Sequence, residues 1–176
     1  MVSRLRGFIG GILFCFFTSS FALHATENDD LVKAMMEVYA EELAANPQDY
    51  RTYYSRAMAY FGQGDMKKAL SDIDNAIKYF PRKEKDDLAQ AYLLRAKILS
   101  ERGEAKSALT DLNSALRLVP NHRLALKDRG DLLCRLGQYD MAKIDYNHLL
   151  RMDTRSQSAF MGLARVEAHT GQPVRA

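Results

Sequence analysis

The segment Tyr50–Pro81, YRTYYSRAMAYFGQGDMKKALSDIDNAIKYFP, decides how the rest of the chain is read. Tyr53, Ala57, Tyr60, Gly64, Ala69, Ile73, Ala76 and Pro81 follow one another at intervals of four, three, four, five, four, three and five. Intervals of three and four give each half of the segment one apolar stripe of helical period. Gly64-Asp65 between the halves supplies a turn residue and then an acid suited to start a helix. Pro81 ends the second half. The same layout returns at Tyr92, Ala96, Leu99, Gly103, Ala108, Leu112, Ala115 and Pro120, and again at Leu126, Gly130, Leu133, Gly137, Ala142, Tyr146 and Leu149, with Thr154 in the place of the proline. A fourth copy begins with Phe160, Ala164 and Gly171, and Ala176 falls where its second helix would open.

This spacing resembles the tetratricopeptide repeat, W-x2-L-G-x2-Y, then A-x3-F, then P. The resemblance implies an all-α fold, a right-handed solenoid of helix-turn-helix units that stack and present a groove to a partner. About three and a half repeats are expected over residues 50–176, at 50–83, 89–122, 123–156 and, in part, 157–176. The charged run RKEKDD at 82–87 lengthens the link between the first two copies, as a solvated loop or an added helical turn. Residues 26–49 read as a helix and linker: a solitary helix from Asn28 to Ala45, with Leu31, Met35, Val38, Tyr39 and Leu43 at near-helical intervals, is ended by Asn46-Pro47 and caps the first repeat. By the same logic the carboxyl end is uncapped, as in a shortened array.

Residues 1–25 read as a secretory signal peptide: Arg4 and Arg6 in front, an apolar run from Phe8 to Leu23, and small residues with cleavage sites after Ala22 or Ala25. The run is short against the about twenty residues of a membrane-spanning helix. The expected location is therefore exported, periplasmic or cell-envelope; the alternative is a chain anchored by an uncleaved segment. Removing 1–25 takes two arginines and no acid, so the formal charge of +3 falls by 2 to +1. A nearly neutral chain lacks the basic face of a nucleic-acid binder. Of the two cysteines, Cys15 lies in the signal and Cys134 in the first helix of the third repeat, so no intrachain disulfide is expected after cleavage; Cys134 reads as a small packed thiol, the alternative being a reactive or intermolecular one.

One departure from the family pattern repeats. Arg56, Arg95 and Arg129 stand where the motif has leucine, and an aspartate follows each at sixteen residues: Asp72, Asp111 and Asp145. The spacing predicts structural ion pairs between the two helices of each repeat, since a planar guanidinium can meet a carboxylate through two bonds.

No G-x-S-x-G, H-E-x-x-H, phosphate-binding glycine loop or paired cysteine motif occurs, and His122, His148, His169 and Cys134 share no metal-ligand spacing. No catalytic residue, metal or cofactor is expected. The resemblance places partner contacts at repeat positions two, five, nine and twelve, here Tyr54, Met58, Phe61, Leu93, Lys97, Lys127, Asp131, Cys134, Met161 and Arg165. That wall runs from aromatic and apolar to charged, with Tyr54 and Leu93 as apolar anchors and Lys97 and Lys127 as polar partners. Tyr54 and Met58 replace the lysine and asparagine of the family's carboxylate clamp. The expected function is a scaffold that binds a protein or peptide; the alternative is an accessory module that self-associates through its carboxyl end.

Overall fold

The computed structural model describes residues 30–171. The expected signal segment at 1–25, Cys15 and Ala176 lie outside the described residues. Residues 30–45 form a helix, α1, which stops immediately before Asn46-Pro47, as expected where proline disfavours helical geometry in the residue before it. Leu31, Met35 and Val38 are exposed along it.

The repeat unit begins at Gln48 and holds seven helices: α2 (Tyr50–Gly62), α3 (Met66–Tyr79), α4 (Lys85–Glu101), α5 (Ala105–Leu118), α6 (Arg123–Arg135), α7 (Tyr139–Met152) and α8 (Gln157–Thr170). No described residue is in a strand. Each second helix (α3, α5, α7) packs on the first helix of its own repeat and on the first helix of the next, while α2 with α4 and α6 with α8 also touch. The architecture is an all-helical repeat solenoid. The RKEKDD run resolves as an added turn: α4 starts at Lys85 and has 17 residues, against 13 in α2 and α6.

Every turn between paired helices is made the same way. Gly64, Gly103 and Gly137 have φ of 78°, 80° and 72°, a left-handed conformation in which a Cβ is strained. That bend lets Asp65 N–H donate to the Tyr60 carbonyl, Glu104 to Leu99 and Gln138 to Leu133, at 2.8–2.9 Å, satisfying carbonyls that a helix end leaves open. Asp65 then caps α3 by accepting from the Lys68 amide at 3.0 Å.

Small residues sit where helices cross: Ala57, Ala69, Ala76, Ala108, Ala115 and Ala142 are fully buried. Ile73 and Ile98 centre a core over α2–α4, and Leu112, Leu126, Leu133, Tyr146 and Leu163 centre another over α4–α8. Leu70 and Tyr92 pack against both, which makes the core continuous along the stack. The fourth copy is open on one side among the described residues. Phe160 is 53% exposed and Ala164 is exposed, because the face that a second helix covers in the three preceding repeats meets no described element. α8 buries Ala159, Gly162, Leu163 and Val166 instead.

The three arginine–aspartate pairs are forks. Arg56 donates through Nε and a terminal nitrogen to both oxygens of Asp72 at 2.6 and 2.8 Å, Arg95 to Asp111 at 2.7 and 2.7 Å, and Arg129 to Asp145 at 2.8 and 2.6 Å. The carboxylates are only 2–6% exposed and the arginines 20–25%. The remaining nitrogen reaches back one repeat: Arg95 to Asp74 and Arg129 to Asn113, at 2.7 and 2.8 Å. The Arg95 guanidinium, hydrogen-bonded to Asp111, has its pKa raised despite burial, which works the other way. Leu163, not arginine, occupies the equivalent position of the fourth copy. Asp111→Ala leaves Arg95 half-buried with one exposed partner, and its expected cost is about 3 kcal/mol. Glu104→Ala, in the exposed pair with Arg102, should cost no more than about 1 kcal/mol. Urea unfolding of both variants checks this, and equal small losses would refute a structural role for the forks.

Candidate functional site

The first helices expose a common wall. Between α2, α4 and α6 it deepens into a recess of about 360 Å³, with Phe61 on one side, Lys97, Ser100 and Glu101 along α4, and Asp128, Asp131 and Arg135 on α6. Of the residues expected to meet a partner, the structure brings Phe61, Lys97 and Asp131 to this recess. Met58 and Met161 stand exposed on α2 and α8, at 51% and 60%. Tyr54 lines a different, smaller cavity.

Leu93, an expected contact residue, is not on the surface, and Cys134, at a contact position, is packed as its small thiol suggests. Leu93 is 3% exposed and packed in the core shared with Leu126, and Cys134 is 7% exposed in the same core. α4 is buried on more than one side, so a position that faces outward on α2 faces a neighbouring helix here. The two lysines are also less free than expected. Lys97 lies 3.9 Å from Asp128. Lys127 donates to Asp131 at 2.8 Å and to Asp128 at 3.4 Å.

Asp131 is the hub of the carboxyl half of this wall. It accepts from Lys127 on its own helix, from the Tyr146 hydroxyl on α7 at 2.9 Å and from Arg165 on α8 at 2.9 Å. Burial pushes its carboxyl up, but the hydrogen bonds from Lys127 and Tyr146 and the charges of Lys127 and Arg165 hold it below the ordinary value. The same bond to Asp131 raises the Lys127 ammonium. Tyr146 itself is fully buried. Its ring lies so close to α6 and α8 that a Cβ on Gly130 would come within 2.8 Å of it, and one on Gly162 would overlap it. Glycine at both places is what admits the ring. The Tyr146 hydroxyl also lies 3.8 Å from the Cys134 sulfur.

Gly130 is a framework position of the repeat, but Gly162, Asp128, Glu101 and Arg135 were not singled out by sequence. Asp128 and Arg135 flank the expected positions by one or a few residues; once the repeat register is fixed, neighbouring charges could have been examined. The contact of Gly162 with Tyr146 has no sequence signal. No group of three His, Cys, Asp or Glu among the described residues could hold a metal ion, and no described helix is long and apolar enough to cross a membrane.

The family model described as tetratricopeptide repeat matches three overlapping stretches, residues 36–86, 54–123 and 93–147. No curated protein sequence matches the chain. Among solved structures, a tetratricopeptide repeat protein from Parabacteroides merdae aligns with a TM-score of 0.72 and 28% identity, over 83% of this chain and 56% of that one. YrrB, described as having an unusual peptide-binding site, aligns at 0.69 and 18% identity, over 82% of this chain and 72% of its own. The first such domain of Spaghetti, bound to the HSP90 peptide SRMEEVD, aligns at 0.64 and 20% identity, over 71% and 95%. The two last likenesses concern the fold.

The Tyr146 network generates a pH expectation. Burial first, then the Asp131 carboxylate, pushes the Tyr146 phenol well above its ordinary value. A pKa raised by folding gives stabilisation that is complete below the unfolded value of about 10 and is lost as pH rises toward the folded one. Tyr146→Phe should therefore cost about 1.5–3 kcal/mol at neutral pH, where a hydrogen bond to a charged group is lost. It should also flatten the decline in stability above about pH 10. Urea midpoints at several pH values measure both; parallel declines in the two proteins would exclude Tyr146 as the group responsible.

Proposed function

The chain belongs to the tetratricopeptide repeat family, and from that premise we infer that it is a protein-interaction scaffold that takes a peptide or protein segment along its first helices. The observation that carries the reading is the recess at α2, α4 and α6, where the aromatic side of Phe61 faces charged groups at the ends of Lys97, Glu101, Asp128 and Arg135. A concave surface with an apolar anchor and convergent polar groups suits a bound segment. Peptide binding by YrrB and by the Spaghetti domain on the same fold lends support. The role is one of binding and not of catalysis.

We place this activity in the cell envelope, on the strength of the signal-like residues 1–25. Cross-linked capture of the protein from its own envelope fraction, with sequencing of its amino terminus, addresses both points. One captured partner should bind saturably, and Met58→Glu with Lys97→Glu should weaken it at least about tenfold, since Met58 is exposed, Lys97 is partly exposed and neither is core. Unchanged affinity of the folded double variant would sink the groove assignment, and recovery of an unprocessed chain in the cytosol would sink the location.

A second reading, self-association, is favoured by the exposure of Phe160 and Ala164 on a face that is covered in the other repeats. It expects sedimentation to show concentration-dependent dimers that Phe160→Arg abolishes; a monomer at all concentrations rejects it.

A further inference from the structure

Tyr54 belongs to a cavity of its own. About 260 Å³ of half-open space is lined by Tyr50, Tyr54 and Phe80, with Arg51 beside them and with Asp87 and Gln90 on α4. Pockets that take whole small molecules hold about 300–1,000 Å³, so this one suits a single side chain. Its aromatic side is fixed in place. The rings of Tyr50 and Phe80 pack 4.2 Å apart between centroids, and the Tyr50 hydroxyl donates to Glu84 at 2.7 Å.

The electrostatics select a charge. Burial raises the Tyr54 phenol, and the Asp87 carboxylate raises it further, so that carboxylate acts on the aromatic wall directly. Arg51 already lies over the Tyr50 ring, 5.4 Å from its centroid. Its guanidinium is raised by the Tyr50 hydroxyl first and then by the charges of Tyr50, Glu84 and Asp87. Among the lining groups Arg51 and Asp87 carry charge, and Arg51 is already placed over the Tyr50 ring. Asp87 is exposed and makes no ion pair with a described side chain. An anionic guest would be repelled. An apolar guest would cover that carboxylate without pairing it, which is costly. Only a cation satisfies both the ring faces and the acid.

We propose that this cavity receives one lysine or arginine side chain of the segment bound in the groove. Its aliphatic stem lies on Tyr54 and Phe80 and its charged head meets Asp87. The proposal rests on the groove reading above and gives it a direction. Tyr54 and Phe61 are seven residues apart on α2, about 10 Å along a helix. The cationic residue therefore lies about three residues of extended chain from whatever fills the larger recess.

The test uses three blocked amino acids as probes: N-acetylarginine methylamide, its norleucine analogue and its glutamate analogue. Each is titrated into the protein while backbone amide NMR signals are followed. The arginine probe should give saturable shifts at Tyr54, Phe80 and Asp87, and the norleucine probe should bind at least about fivefold more weakly. The glutamate probe should not shift these signals. Asp87→Asn, a surface change, should lower the arginine affinity about fivefold and leave the thermal unfolding curve in place. Equal shifts from arginine and norleucine, or unchanged arginine binding by Asp87→Asn, overturn the proposal. The two readings fail separately. Arginine binding at this cavity with no partner binding sensitive to Met58 and Lys97 overturns the groove; partner binding without arginine selectivity overturns the cation site alone.

Discussion

A guanidinium placed between two helices has to be answered by an acid that reaches it from the other helix. In three successive repeats that answer is a forked bond from Arg56, Arg95 or Arg129 to both oxygens of Asp72, Asp111 or Asp145. Two parallel bonds tolerate little sliding or rotation, so each pair fixes the register of its two helices more tightly than apolar contact does. The third nitrogens of Arg95 and Arg129 extend the tie to the preceding repeat through Asp74 and Asn113. Apolar packing then has one geometry to fill. Alanines at the crossings let the backbones approach, and left-handed glycines return the chain at the right angle.

The third repeat solves the same problem with different material. Where α3 and α5 bring Ile73 and Leu112 to the interface, α7 brings the larger Tyr146, and Gly130 and Gly162 yield the space. The hydroxyl carried into the core needs a partner, and Asp131 supplies it at the surface end. One carboxylate thereby joins the core to the wall of the groove and also binds Lys127 and Arg165. Around Asp131 the charges of the carboxyl half satisfy one another. The amino half, around Tyr54, Met58 and Asp87, keeps apolar surface and an unpaired acid.

Much of the fold was legible because the relevant signals are local and repeated. Helix period, the glycine turn and the proline stop each act within a few residues, and a spacing held three times is hard to obtain by chance. The sixteen-residue interval between arginine and aspartate was visible for the same reason: it is the distance across one helix-turn-helix unit. Leu93 was misplaced by the same reasoning. A repeat position says which way a side chain points on its helix, but exposure depends on what lies opposite. α4 buries more of its residues than α2 does, and the outer face of α8 meets no described element.

The amino-acid sequence by itself therefore determined the repeat, its register, the helix-pair turns and the interhelical ion pairs, because each is a short-range pattern of size, period or charge. Only the tertiary structure decided which wall residues remain free, because that depends on contacts between repeats. Such contacts join Asp131 to Arg165 across 34 residues and press Tyr146 against Gly162. They also put Tyr54 and Asp87 in the lining of one cavity. A side chain's neighbours on other helices are set by how the helices stack, and no interval along the chain encodes that.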